Sequence, residues 1–195
     1  MENWRLFIAI ELPPHILDHI SAIQDWLRER VPPRTVRWVA PQGIHLTLKF
    51  LGDVPVRQQE ALQEALAQAV RGHAPFQLAA GGMGCFPNPR RPRVAWVGVH
   101  ENPEALQRLR DAVEAQIAPL GYPTEARPFH PHLTLGRVRR DARRSDVQAL
   151  GTLIAESALQ QRETWTVREV TLVRSQLKPS GAVYTPLFHA PLQAR

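Results

Sequence analysis

Cysteine and lysine are nearly missing from this chain. Cys85 is alone among 195 residues, so no disulfide framework and no cysteine-based zinc site can be built. A reducing cytoplasm is the expected compartment. No run of eighteen apolar residues occurs, so no membrane-spanning helix is expected. The opening "MENWRLFIAIELPP" lacks the basic leader and small-residue cleavage site of a signal peptide. A phosphate-cradling G-x-x-x-x-G-K-[ST] loop is also missing, which argues against nucleotide-driven chemistry of that kind. Lys49 and Lys178 are the two lysines, so the 24 basic residues are almost all arginine, and the net charge is +6. Guanidinium suits phosphate, because its planar fork matches the oxygens. A GC-rich genome produces the same bias without any such role.

Against those absences stands an ordinary apolar share, 44%, enough for a real core. The length fits one domain, residues 1–195, or two small lobes packed closely together. Residues 4–13 alternate apolar side chains and predict a strand. Ile16, Ile20, Ile23 and Leu27 recur at helical spacing behind Pro13-Pro14. Residues 38–51 predict a short strand, a turn and a second strand, and 56–71 a helix. A glycine-broken strand is expected over 76–86, a loop over 88–92 and a strand over 93–99. The rhythm then repeats, with helices around 106–117 and 146–157 and strands over 164–175 and 182–192. Four helices among about eight strands make an α+β pattern. Two helices in each half suggest a weak internal duplication.

One tetrapeptide is written twice. His-Leu-Thr-Leu occupies residues 45–48 in "GIHLTLKFLG" and residues 132–135 in "HPHLTLGRV". At this composition a chance HxT is expected roughly 0.4 times, but a chance HLTL only about 0.005 times. In a strand, residues two apart share a face. His45 and Thr47 therefore project together, as do His132 and Thr134, while the leucines point to the core. Two such strands facing one cleft would surround a point with two imidazoles and two hydroxyls. That set suits phosphoester chemistry. Imidazole titrates near neutrality, so one ring can give a proton while the other takes one, and hydroxyls can hold oxygens on which charge builds. The pairing alone does not say which histidine does which.

These residues resemble the paired HxTx motifs of the 2H phosphoesterase superfamily. "RLFIAIELP", "GIHLTLKFLGDV", "RPRVAWVGV", "RPFHPHLTLGRV" and "VYTPL" are similar, in order, to the RNA 2′,3′-cyclic phosphodiesterases, also called 2′-5′ RNA ligases. The resemblance implies a bilobal LigT-like α+β fold of two pseudo-symmetric lobes, antiparallel sheets with helices outside, each lobe bringing one HxTx strand to a central cleft. It implies hydrolysis of an RNA 2′,3′-cyclic phosphate, or a cyclic nucleotide, to a 2′-phosphate, without metal or cofactor. By the same resemblance His45 is the proton donor and His132 the proton acceptor, with Thr47 and Thr134 on the phosphate oxygens. A monomer with no membrane partner is expected.

Several neighbours are ambiguous. Arg137 matches a basic residue of the family that assists at the phosphate, yet strict alternation from His132 sends it to the opposite face unless a bulge intervenes. His130 shares the face of His132, as substrate contact or support. Lys49 is expected to be a solvated strand residue. Phe50, by parity, and Phe7 are expected in the core. Arg90, Arg91 and Arg93 could steer RNA or simply be solvated. Two other classes stay open. "HPH" at 130–132 has a spacing found in metal sites, although such sites want further ligands. A non-catalytic RNA-binding module would need basic and aromatic residues, not paired His-Thr.

Overall fold

A computed structural model describes residues 2–157, 159, 161–178 and 181–194. Strand β1 (Asn3–Ile10) leads to helix α1 (Pro14–Arg30), short strand β2 (Val36–Trp38), a 3-10 turn at Pro41–Gly43 and strand β3 (Leu46–Pro55). Then come α2 (Gln59–Ala69), β4 (Phe76–Phe86), β5 (Val94–His100), α3 (Pro103–Ile117), β6 (His132–Val138) and α4 (Arg144–Ala155). Strands β7 (Arg162–Val167), β8 (Glu169–Lys178) and β9 (Gly181–Pro191) close the chain.

The strands form two antiparallel sheets, ordered β3-β1-β8-β9 and β2-β6-β5-β4-β7. Together with the helices they make the expected bilobal α+β fold. The core runs through both, from Leu6, Ile8 and Leu46 to Val97, Leu133 and Leu135. Among the described residues no helix is long and apolar enough to cross a membrane.

Two features depart from the sequence reading. The strand expected over 164–175 is broken at Arg168, and its pieces belong to different sheets. Trp165 and Val167 are buried on odd numbers, Val170 and Leu172 on even ones; the change of phase marks the crossing. The helices are also exchanged. Helix α1 packs on β4 and β7, and α4 on β4, while α2 and α3 pack on each other and on strands of the four-stranded sheet. The lobes are therefore not the two halves of the chain.

Candidate active site

Each HLTL stretch lies at the start of a strand in a different sheet, β3 and β6, and the two strands come into contact. Leu46, Leu48, Leu133 and Leu135 are all buried in the core. His45, Thr47, His132 and Thr134 are partly exposed on the other side. The link between the sheets is local. Strand β2 pairs with β6, the Val39 amide donates to the Leu135 carbonyl at 2.9 Å, and the Gln24 amide donates to both Val39 and Leu135 carbonyls at 2.8 Å. Six residues beyond this tie the chain reaches His45.

Both rings are held by the backbone two residues upstream. His132 Nδ1 lies 2.6 Å from the His130 carbonyl. A carbonyl only accepts, so Nδ1 carries the proton and Nε2 of the neutral ring is left with a lone pair. His45 bonds likewise to the Gly43 backbone. Aromatic walls complete both settings. Phe7 stacks on His45 at 4.5 Å, and Tyr184 meets it edge-on at 5.1 Å. Phe86 meets His132 edge-on at 4.8 Å, with Trp96 behind at 6.3 Å. Trp96 lies flat over Gly84, where an added Cβ would come within 2.1 Å of the ring.

Burial against these walls favours the neutral form of both imidazoles. Burial holds His45 far below its ordinary value, at about 4, although the Gly43 bond acts the other way. Burial also lowers His132, helped by the charges of Arg137 and His130 and opposed by the His130 carbonyl.

A β-bulge follows each motif. On β3, Ala9 pairs with Thr47 but Ile8 pairs with Lys49, so Leu48 is skipped. On β6, Trp96 pairs with Thr134 but Ala95 pairs with Gly136, so Leu135 is skipped. Two successive residues then face inward and the phase changes. Arg137 consequently returns to the face of His132 and Thr134, and its charge reaches His132.

The same device overturns two expectations on β3. Phe50 is not in the core: it is 65% exposed, with its ring 5.9 Å from Phe7. Lys49 is not solvated: it is 5% exposed and turned inward. Its ammonium donates to Glu114 of α3 and, at 2.8 Å, to the Pro123 carbonyl. Glu114 also pairs with Arg110 at 3.3 Å. Phe7 is 2% exposed, as expected of a core residue, yet it forms a separate small cluster with Ala9, Val173 and Tyr184. The His130 side chain is exposed; its carbonyl makes the bond to His132. Arg90, Arg91 and Arg93 are exposed as well.

Tyr184 had no assigned role in the sequence reading. Its segment, VYTPL, was among those resembling the family, but no role was read for the tyrosine. Among the described residues, the one group of three close metal-ligating side chains is Glu11, Glu169 and His189. It includes neither His130 nor His132.

Two lobes that each offer an imidazole-hydroxyl strand backed by aromatics, one of them with an arginine beside it, define a hydrolase of the LigT-like bilobal class. The chain belongs to the 2′-5′ RNA ligase superfamily, whose family model matches residues 12–179. It is 38% identical to the RNA 2′,3′-cyclic phosphodiesterase of Methanothermobacter thermautotrophicus, over 94% of this chain and 96% of that protein. Against the enzyme of that name from Escherichia coli K12 the identity is 33%, over 95% of each. The crystal structure of E. coli LigT complexed with 3′-AMP superposes with a TM-score of 0.76 at 32% identity, over 98% of this chain and 99% of that one.

Proposed function

We propose that this chain hydrolyses RNA 2′,3′-cyclic phosphate ends to 2′-phosphate ends by a metal-independent mechanism using two histidines. In this reading His132 takes a proton from water as the water attacks phosphorus. His45 gives a proton to the departing O3′. Thr47 and Thr134 hold the non-bridging oxygens, and Arg137 offsets the charge that builds on them. The exposed His130 side chain contributes a further substrate contact. Relatives named RNA 2′,3′-cyclic phosphodiesterase, aligned over nearly the whole chain, support the activity. The observation that carries the mechanism is the matched build of the two motif strands, each with its histidine bonded to the backbone two residues upstream.

Burial sets a condition on the donor. Burial lowers both rings, His45 to about 4. An anionic phosphate between the rings favours protonated imidazole, and this supplies His45 with the proton for the leaving oxygen. Ligation uses the same groups in the same direction: a 5′-hydroxyl replaces water as nucleophile, O3′ leaves, and the ends are joined through a 2′-5′ linkage.

The test is incubation with an RNA bearing a 2′,3′-cyclic phosphate in excess chelator, followed by phosphorus NMR of the product. A 2′-phosphate is expected. A 3′-phosphate would reverse the leaving oxygen, and loss of turnover in chelator with recovery on adding metal would replace the mechanism.

A further inference from the structure

Strand β2 is three residues long and forms an edge of the five-stranded sheet. Its pairing with β6 sets Arg37 directly opposite Arg137. Directly paired residues of antiparallel strands project to the same side. The bulge at Leu135 puts Arg137 on the side of His132 and Thr134, so Arg37 lies on that side too. The flanking residues agree. Val36 is buried, and Trp38 lies under the Arg28 guanidinium of α1 at 5.5 Å. Both therefore face the helix layer and leave Arg37 on the open face.

Like charges set directly opposite on neighbouring strands repel. Among the described residues no carboxylate relieves the repulsion. Both guanidinia are exposed, and among the described residues neither has a carboxylate within salt-bridge distance. Asp141, a nearby carboxylate, is held by Arg139 at 3.2 Å and Arg34 at 3.8 Å. A pair of free guanidinia on the site face, at an uncovered sheet edge, is completed by an anion.

Spacing decides which anion. Along β6 the site-face residues His132, Thr134 and Arg137 follow one another at about 7 Å per step, and β2 lies about 4.8 Å further out. The scissile phosphate belongs with His132 and Thr134, within reach of Arg137. Arg37 is one strand beyond it, outside the reacting group.

We infer that Arg37 is a substrate-binding residue that holds the next phosphate, the one joining the terminal nucleotide to the rest of the RNA. This rests on the function proposed above. It adds that the protein is built for polynucleotide ends rather than for free cyclic mononucleotides, which lack that phosphate.

The test compares adenosine 2′,3′-cyclic phosphate with the dinucleotide ApA carrying the same cyclic end. Arg37→Gln is expected to raise KM for the dinucleotide about five- to tenfold while moving KM for the mononucleotide less than twofold, with kcat kept on both. The salt dependence of dinucleotide binding should become shallower by about one phosphate contact, and Arg37→Lys should recover part of the loss. Equal effects on both compounds, or none on either, overturn the inference. Equilibrium binding of the corresponding 2′-phosphate products is measured alongside. If the wild-type protein turns over neither compound, the hydrolytic reading fails, and Arg37 is judged on whether its substitution weakens the dinucleotide product selectively.

Discussion

The same four residues lie at the start of β3 and β6, His45 one residue before β3; both strands carry a bulge at the last leucine and then diverge. After the bulge, β3 turns Lys49 inward and Phe50 outward; β6 turns Gly136 inward and Arg137 outward. The inward difference follows from what lies behind. Lys49 can reach Glu114 of α3, whereas at Gly136 an added Cβ would sit 2.5 Å from Val36. The outward difference bears on chemistry. One lobe presents a flat apolar ring beside its histidine, the other a fixed positive charge. The repeated backbone device places a side chain on the site face, and each lobe fills that place with a different kind of contact.

The strongest way to break the comparison is to delete each imidazole. His45→Ala and His132→Ala should each lower kcat/KM about a thousandfold, within the range expected for a proton-transferring group. A substrate with an easier leaving group separates them. On a cyclic aryl phosphate, whose leaving oxygen is a phenol, His45→Ala should lose much less than His132→Ala if His45 is the acid; equal losses would remove the division of labour.

Next in size is the inward position. Glu114→Ala would leave Lys49 and Arg110 buried without their carboxylate, at a cost of about 3–5 kcal/mol. Gly136→Ala should cost about 1–3 kcal/mol through overpacking. Urea-unfolding midpoints check both, and a small loss for Glu114→Ala would mean that the buried pair does not anchor β3.

The smallest effect is on pH dependence. The productive free enzyme carries one proton on the two histidines, and activity falls once pH exceeds the higher of their pKa values. Both lie below the ordinary 6.5. The basic limb of kcat/KM should therefore have its midpoint below 6.5, and that of kcat should lie higher, because bound phosphate favours protonated imidazole. Coincident limbs at or above 6.5 would mean that the aromatic walls do not shift the rings.

The motif strands were legible because a period of two fixes the face of every residue from His45 to Leu48 and from His132 to Leu135. That legibility ended at the bulges. Alternation assigned Phe50 to the core and left Lys49 in solvent, and both assignments fail within two residues of the extra one, Leu48. For Arg137 the same parity argument required a bulge, and β6 has one. The break at Arg168 was written in the change from odd to even burial, and was missed because the run of β-formers is continuous. The exchange of α1 and α3 between sheets rests on contacts between distant segments, to which local periodicity is blind. Tyr184 belongs to the same category, since it reaches His45 only through the pairing of β9 with β8 and β8 with β1.

The exchanged helices bear on how the cleft can move. The chain crosses from one sheet's layer to the other's at residues 11–13, 39–45, 70–75, 101–102, 121–131 and 168. Three of those straps are three residues or shorter, and they are spread through the sequence rather than gathered at one point. A hinge needs a small set of residues about which everything else can swing, and no such axis is offered here. Relative motion of the two sheets is accordingly limited by the stitching of the chain itself.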